Sequence, residues 1–295
     1  MRQVHQEQRV GLVTYAALPQ GAEDDAPLRV ALSARRITSQ PLVWDDPAVE
    51  WESYPLCIVR STWDYHHRRA AFLAWVDRVA ALTALWNPAP LLRWNTHKGY
   101  LRDLAARGVP VVPTRWLPAG STADLALLLE SEGWAAAVVK PAVGASAYGT
   151  RVVPPGDRWA GQAHLAQFLA RHDMMVQPFY PSVLHYGERS LVYVDGVLTH
   201  AVRRDPPAAD GTSYPTAEPP RVTPTADEQA LGAAVLAALP AASLYARVDL
   251  VRDPAGTPRL LELELVEPSL FLRVGPEAAD RLAAGIAAQL AGRGE

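Results

Sequence analysis

Three carboxylates late in the chain, Asp249, Glu262 and Glu264, stand at spacings that suit metal chemistry. Asp249 lies in the apolar run Tyr245 to Val251, and Glu262 and Glu264 lie in Arg259 to Val266, with Asp253-Pro254-Ala255-Gly256 between the runs as a turn. Residues two apart on a strand share a face, so the two glutamates stand side by side, and a tight hairpin can bring Asp249 next to them. Such a cluster repels itself and is costly to bury without a cation. Hard oxygen donors suit Mg²⁺, which keeps several waters and shares its shell with nucleotide phosphates. The alternative is a solvated charged face, and the neighbours Leu260, Leu261, Leu263, Leu265 and Val266 weigh against it. Arg247, two residues before Asp249, shares that face. It could neutralise phosphate oxygens or a charge-spread transition state, or pair with one of the glutamates, and the roles are compatible.

A second group surrounds Lys140, which ends the strand-like Ala135 to Lys140 and leads into Pro141-Ala142-Val143-Gly144-Ala145-Ser146-Ala147-Tyr148-Gly149-Thr150. An ammonium beside a loop of small residues offers backbone N–H groups that side chains do not obstruct, which is what a phosphate needs. A plain hairpin connection is the alternative. The lysine placement of a P-loop is missing, and no helical pattern follows directly as in a dinucleotide-binding turn. Lys98, at a helix start, is a second isolated lysine, by default solvated. Arg203 and Arg204 end a strand and enter a Pro-rich loop, where they are either contacts for a phosphate or substrate carboxylate or merely exposed cations. Near the front, Arg60-Ser61-Thr62-Trp63-Asp64-Tyr65 follows the run Leu56 to Val59. Ligands of open α/β sheets bind beyond the carboxyl ends of strands, so Arg60, Ser61, Trp63 and Asp64 are candidate substrate contacts. His66 and His67 lack a third metal-ligand partner and read as surface residues.

The elements that must position these groups follow from periodicity. Arg9 to Tyr15, Pro41 to Trp44 and Leu56 to Arg60 read as strands separated by helix-length segments, Pro27 to Arg36 among them, which suggests a parallel sheet. Arg69 to Trp86 has a helical period and stops at Asn87-Pro88, and Lys98 to Arg107 is a second helix. After Leu92 come a helix at Ser121 to Glu132, with Ser121 at its start, and then antiparallel-rich strands: Arg151 to Val153, Met174 to Gln177, Ser190 to Val194 and Val197 to Val202. Asp195-Gly196 between the last two signals a type I′ hairpin. Asp205 to Pro224 has no periodicity and reads as a long loop; helices follow at Thr225 to Leu239 and Pro276 to Leu290.

The 295 residues suffice for two domains or one elaborated fold, with 28 basic against 31 acidic side chains, a net charge of −3 and 49% hydrophobic residues. There is no basic block of the kind a general nucleic-acid binder needs. No stretch has the length of a membrane span and the N-terminus lacks a signal sequence, so neither nucleic acid nor membrane is an expected partner. The single Cys57 excludes an intrachain disulfide and a cysteine-based zinc cluster and fits a reducing cytoplasm. No GxSxG elbow or reactive-cysteine setting supports covalent catalysis.

Taken in order, Lys98, Lys140 with its small-residue loop, the strand ending Val176-Gln177-Pro178-Phe179-Tyr180, Glu188, and then Arg247, Asp249, Glu262 and Glu264 resemble the ATP-grasp family over essentially the whole chain. The resemblance implies an α/β and α+β ATP-grasp fold: a parallel-sheet pre-ATP-grasp domain at residues 1–92 and two α+β subdomains, 93–177 and 178–295, that sandwich the nucleotide. It implies ATP and Mg²⁺ as cofactors. Lys98 and Lys140 would contact the nucleotide phosphates, the loop bearing Gly144, Ser146, Tyr148 and Gly149 would close over them, Gln177, Phe179 and Tyr180 would read the adenine, and Glu188 would bind the ribose. Arg247 would stabilise the transferring phosphoryl, with Arg203 a second catalytic candidate, and Asp249, Glu262 and Glu264 would hold Mg²⁺. Glu264 stands where the family usually has Asn. The string RSTWDY is similar to the D-cycloserine-forming cyclo-ligase subgroup. The implied activity is an ATP-dependent ligase that makes an acylphosphate from a small carboxylate and couples it to an amine. Intramolecular ring closure, a small-molecule kinase and a non-catalytic nucleotide-binding module are the alternatives, and a homodimer is allowed.

Overall fold

The strand Leu56–Ser61 is buried at every position, its polar end Arg60 and Ser61 included, as a central strand covered on both faces must be. The computed structural model describes residues 8–205 and 218–292. Its first part is a parallel sheet of β1 (Gln8–Thr14), β2 (Ile37–Val43), β3 (Leu56–Ser61) and β4 (Ala84–Trp86) in the order β2-β1-β3-β4, with α1 (Ala26–Ala34) and α2 (Arg69–Leu82) as connections. Two expectations change here. The second strand starts at Ile37 rather than Pro41, because Gln8 to Thr14 pairs along its full length. The helix from Arg69 ends at Leu82 rather than Trp86, because Ala84 to Trp86 pair with Leu56 to Ile58 as an edge strand. One face of this sheet packs Trp44, Trp51, Phe72 and Trp75 together. Cys57 lies beneath them, and burial pushes its thiol up to about 12, which makes it an inert packing group.

The chain continues through α3 (Ala89–Asn95) and α4 (Tyr100–Ala106) to β5 (Arg115–Leu117), α5 (Leu125–Glu132), β6 (Ala137–Pro141), β7 (Arg151–Val153), α6 (Arg158–Leu169) and β8 (Met174–Pro178). These strands form an antiparallel sheet in the order β5-β8-β6-β7 under α5 and α6, which bury Leu125, Leu129, Leu165 and Leu169 against it. The cap of α5 is Asp124, whose carboxylate accepts from the Leu127 N–H at 3.0 Å, so the helix starts four residues later than a Ser121 start implies.

A five-stranded antiparallel sheet completes the fold: β9 (Glu188–Val194), β10 (Val197–Arg204), β11 (Arg221–Val222), β12 (Tyr245–Arg252) and β13 (Pro258–Glu264), in the order β11-β10-β9-β12-β13. The turn between β9 and β10 has φ of +51° at Asp195 and +71° at Gly196, as a type I′ hairpin requires. Of the long Asp205 to Pro224 segment, residues 206–217 lie outside the described residues, and Arg221–Val222 is a short strand on β10 rather than loop. The helices α7 (Ala226–Ala237), opened by a Thr225–Glu228 capping box, and α8 (Pro276–Ala291) follow. Leu282 and Ile286 of α8 pack with Leu28 and Leu32 of α1, with Val10 and Leu12 of β1, and with Val192 and Val194 of β9, so one apolar cluster joins the first and last sheets. Among the described residues no helix is long and apolar enough to cross a membrane.

Candidate active site

The register of β12 and β13 decides the geometry of the acidic cluster. Arg247 lies opposite Glu264 and Asp249 opposite Glu262, so the four side chains share one face of the hairpin, as the alternation predicts. That face forms a wall of a cavity of about 470 Å³, within the size range of small-molecule sites. Lys140 at the end of β6, Gly144, Ser146 and Tyr148 of the loop after it, and Gln177, Phe179 and Tyr180 at the end of β8 line it from the central sheet. Lys98, Glu188 and Arg203 complete the expected set, and Trp63 enters from the first sheet.

The carboxylates do not depend on a cation from outside, because the chain itself supplies cations. Lys140 Nζ donates to Glu262 Oε1 at 2.6 Å, and Lys98 Nζ lies 3.8 Å from Glu262 Oε2. Arg247 donates through Nε to Asp249 Oδ1 and through Nη2 to Asp249 Oδ2, both at 2.9 Å, and also to Glu264. Ser190 donates to Asp249 Oδ1 at 2.7 Å. Burial alone pushes these carboxyls up. At Glu262 the ammonium groups of Lys140 and Lys98 outweigh burial and hold the carboxyl at about 2. At Asp249, Arg247 and Arg204 do the same, whereas Glu264 stays raised because burial, with the charges of Asp249 and Glu262, outweighs Arg247. Burial also raises Glu188 despite Arg204. Among the described residues no three metal-ligating side chains gather into a cage.

The low Glu262 carboxyl has a measurable consequence. A carboxyl lower in the folded than in the unfolded chain stabilises the fold above its ordinary range near 4.5, and that contribution is lost as pH falls toward 2. In Lys140→Met the strongest counter-charge is gone, so the carboxyl rises. Urea midpoints of the nucleotide-free proteins from pH 6 to 3 should therefore fall less steeply for the variant, and parallel curves would refute the pairing.

Several expected contacts lie elsewhere. Arg60 is 2% exposed and donates to Asp25 Oδ1 at 2.8 Å and the Pro268 carbonyl at 3.3 Å, so it is a buried tie, not a cavity residue. Ser61 donates to Thr14 Oγ1 at 2.9 Å, and Asp64 accepts from Trp44 Nε1 at 2.8 Å and from Arg68 at 2.6 Å. Neither lines the cavity, and of the four front residues only Trp63 does. Gly149 lies beneath the loop, at φ +64°, where a Cβ would meet Phe168 at 2.6 Å. Arg203 lines the cavity but pairs with Asp205 at 3.0 Å. Its neighbour Arg204 reaches the centre, 2.9 Å from Glu188 and 3.4 Å from Asp249. The strand alternation that separates the two arginines was the available signal. His66 is not a free surface group: its ring lies 5.0 Å from Tyr148 and ties the small-residue loop to the first sheet. Burial lowers it to about 4. Asn95, unremarked in the sequence, donates to the Leu263 carbonyl at 2.8 Å and accepts from the Leu265 N–H at 2.7 Å, fixing β13 beneath its glutamates.

Residues 10–87 match the family described as D-cycloserine synthetase DcsG, N-terminal domain. The cycloserine biosynthesis protein DcsG of Streptomyces lavendulae is 37% identical over 285 residues, 90% of this chain and 94% of that protein. The crystal structure of D-cycloserine synthetase DcsG superposes with a TM-score of 0.88 at 36% identity, covering 96% of this chain and 99% of that one. An ATP-grasp RimK domain protein of Sphaerobacter thermophilus has a TM-score of 0.69 at 18% identity, covering 95% and 99%. The chain belongs to the ATP-grasp superfamily. D-Alanine–D-alanine ligase of Bacillus anthracis shares the fold, with a TM-score of 0.69 at 14% identity over 97% of this chain and 98% of that one. Within the ATP-grasp superfamily this protein is an ATP-dependent ligase, and the parallel first sheet with two antiparallel sheets is the superfamily's arrangement.

Proposed function

We propose that the cavity converts a small carboxylate into an acylphosphate at the expense of ATP and passes the acyl group to an amine. The observation that carries this reading is the convergence of Lys98, Lys140 and Arg247 with Asp249, Glu262 and Glu264 in one cavity. Gln177, Phe179 and Tyr180 flank the adenine end, and Glu188 the ribose. The substrate carboxylate attacks the γ-phosphorus as the bond to ADP breaks. The lysines and Arg247 neutralise the oxygens on which charge accumulates, and positioning with electrostatics supplies the catalysis. The nitrogen nucleophile then attacks the acyl carbon and loses a proton while phosphate departs with the C–O bond.

The donor set fits Mg²⁺: hard carboxylate oxygens on a wall shared with a phosphate site, not a closed protein cage, is the usual Mg²⁺ arrangement. Asp249, Glu262 and Glu264 would hold the ion, which supplies further neutralisation of the phosphate oxygens. A reducing, cytoplasmic setting suits the lone buried Cys57.

In a second reading one substrate supplies both carboxylate and nucleophile and closes into a ring. Its support is the match of residues 10–87, on the Trp63 side of the cavity, to a D-cycloserine synthetase domain. Phosphate release from ATP and Mg²⁺ should be stimulated by an amino-acid derivative: one compound suffices for ring closure, and a pair is needed for intermolecular ligation. A stable phosphorylated product would instead indicate a kinase, and ADP binding without any stimulated release would reduce the protein to a nucleotide-binding module.

A further inference from the structure

Among the described residues, Trp63 and Tyr65 are the only ones ahead of Asn95 that line the cavity, so they carry what the first sheet offers a ligand. Both follow the carboxyl end of β3, in a turn closed by the Tyr65 N–H donating to the Thr62 carbonyl at 3.1 Å. The indole of Trp63 is engaged, its Nε1 donating to the Glu267 carbonyl at 3.0 Å. The phenol of Tyr65 is not. Tyr65 is 5% exposed and its ring packs against Phe72 with centroids 5.2 Å apart, yet its hydroxyl has no hydrogen-bond partner among the described residues. Two other deeply buried tyrosines are tied to backbone: Tyr100 accepts from the Leu263 N–H at 3.0 Å, and Tyr245 donates to the Val59 carbonyl. A buried hydroxyl ordinarily finds such a partner, and one left without is costly. Core packing thus fixes the Tyr65 ring while its one polar atom is left to the cavity, the state of a group whose partner comes with the ligand. A phenol is a neutral donor at neutral pH, and burial, with the charges of Glu267 and Glu264, pushes this one well above its usual range. Those glutamates set it where β13 and the first sheet meet, not at the hinge after β8.

We propose that Tyr65 is a catalytic residue whose hydroxyl donates to the acyl oxygen of the substrate. The inference rests on the ligase reading and assigns a residue to its second half-reaction. As the nitrogen attacks the acyl carbon, the C=O π pair moves onto that oxygen, and the Tyr65 hydrogen bond strengthens as charge grows there. The phenol keeps its proton. The pair then returns to carbon, the C–O bond to phosphate breaks with its electrons leaving on phosphate, and nitrogen loses its proton. A donor fixed before the charge develops acts mainly on the transition state.

Tyr65→Phe removes one oxygen and keeps the packed ring. The full chain is incubated with ATP, Mg²⁺ and hydroxylamine as nucleophile, and hydroxamate is measured with acetate, 3-hydroxypropionate, D-alanine, D-serine and the twenty L-amino acids as probes. With any probe that the wild type turns over, Tyr65→Phe should slow hydroxamate formation about a hundredfold, as loss of one oxyanion donor does. A stoichiometric burst of ADP should precede the slow steady state, because the phosphoryl transfer is intact. ADP affinity and the urea midpoint should match the wild type, since the hydroxyl holds nothing within the chain. Tyr54, whose hydroxyl donates to Gln40 Oε1 at 2.7 Å outside the cavity, supplies the opposite case: Tyr54→Phe should lower the midpoint and leave the rate unchanged. The proposal is overturned if Tyr65→Phe keeps a rate within about threefold of the wild type, if the slowed reaction has no ADP burst, or if ADP affinity or the midpoint falls with it. Those results leave the ligase reading standing. A wild type that turns over no probe overturns that reading and this inference with it.

Discussion

Arg247→Ala should lower substrate-stimulated phosphate release by about a thousandfold or more, the scale on which an arginine that neutralises a transferring phosphoryl group acts. Arg247 is 4% exposed and lies on the cavity wall with its guanidinium fixed by Asp249, Glu264 and the Ser269 carbonyl. It is therefore held in place before any ligand arrives, which is what electrostatic stabilisation of a transition state requires. The loss should fall on kcat, with ADP affinity changed only severalfold, because the proposed adenine contacts lie at the end of β8 and just beyond it and the proposed ribose contact lies on β9. Removing the guanidinium also leaves Asp249 and Glu264 uncompensated, so a lower urea midpoint accompanies the loss. Arg247→Lys separates the two effects. It keeps a charge beside the carboxylates and most of the stability, but a point ammonium cannot hold Asp249 bidentately, and kcat should remain reduced by about a hundredfold. A kcat for Arg247→Ala within tenfold of the wild type would remove Arg247 from the chemistry.

What the sequence disclosed and what it hid divide along the reach of the interactions. Asp249, Glu262 and Glu264 were legible because strand alternation and a tight turn are local, and the observed register follows from them. The Asp195-Gly196 turn was legible for the same reason. The helix α3 was not, since seven residues give too little periodicity, and α6 buries only Gly161, Leu165 and Leu169, a stripe too narrow to stand out. The edge strand Ala84–Trp86 owes its state to pairing with Leu56 to Ile58, which a local pattern does not contain. The same holds at the site. Lys140 and Glu262 meet across 122 positions, a separation over which no local pattern reaches.

Arg60 is the instructive case, because strand-end position and residue type pointed to substrate, while its partners point to stability. Arg60→Ala should destabilise the fold by about 3–5 kcal/mol, the cost of leaving a buried partner charge unpaired. Asp25, 1% exposed, is that partner at 2.8 Å, and Asp24 lies 4.0 Å from the guanidinium. Asp24 in turn accepts from the backbone N–H groups of Leu270, Phe271 and Leu272 at 2.8, 3.1 and 2.8 Å. The cluster thus anchors the segment that carries Ser269 and Phe271 to the cavity. Burial raises the Asp25 carboxyl even with Arg60 present, and more so without it. A carboxyl raised by folding favours the folded state at low pH and opposes it once ionised, so the deficit of Arg60→Ala should shrink as pH falls from 8 to 5. Adding Asp25→Asn should recover part of the loss at pH 8, since it removes the charge that Arg60 had balanced. Activity per folded molecule should stay within tenfold, because Arg60 does not line the cavity. An unchanged urea midpoint with a substrate KM raised tenfold or more would return Arg60 to the substrate site.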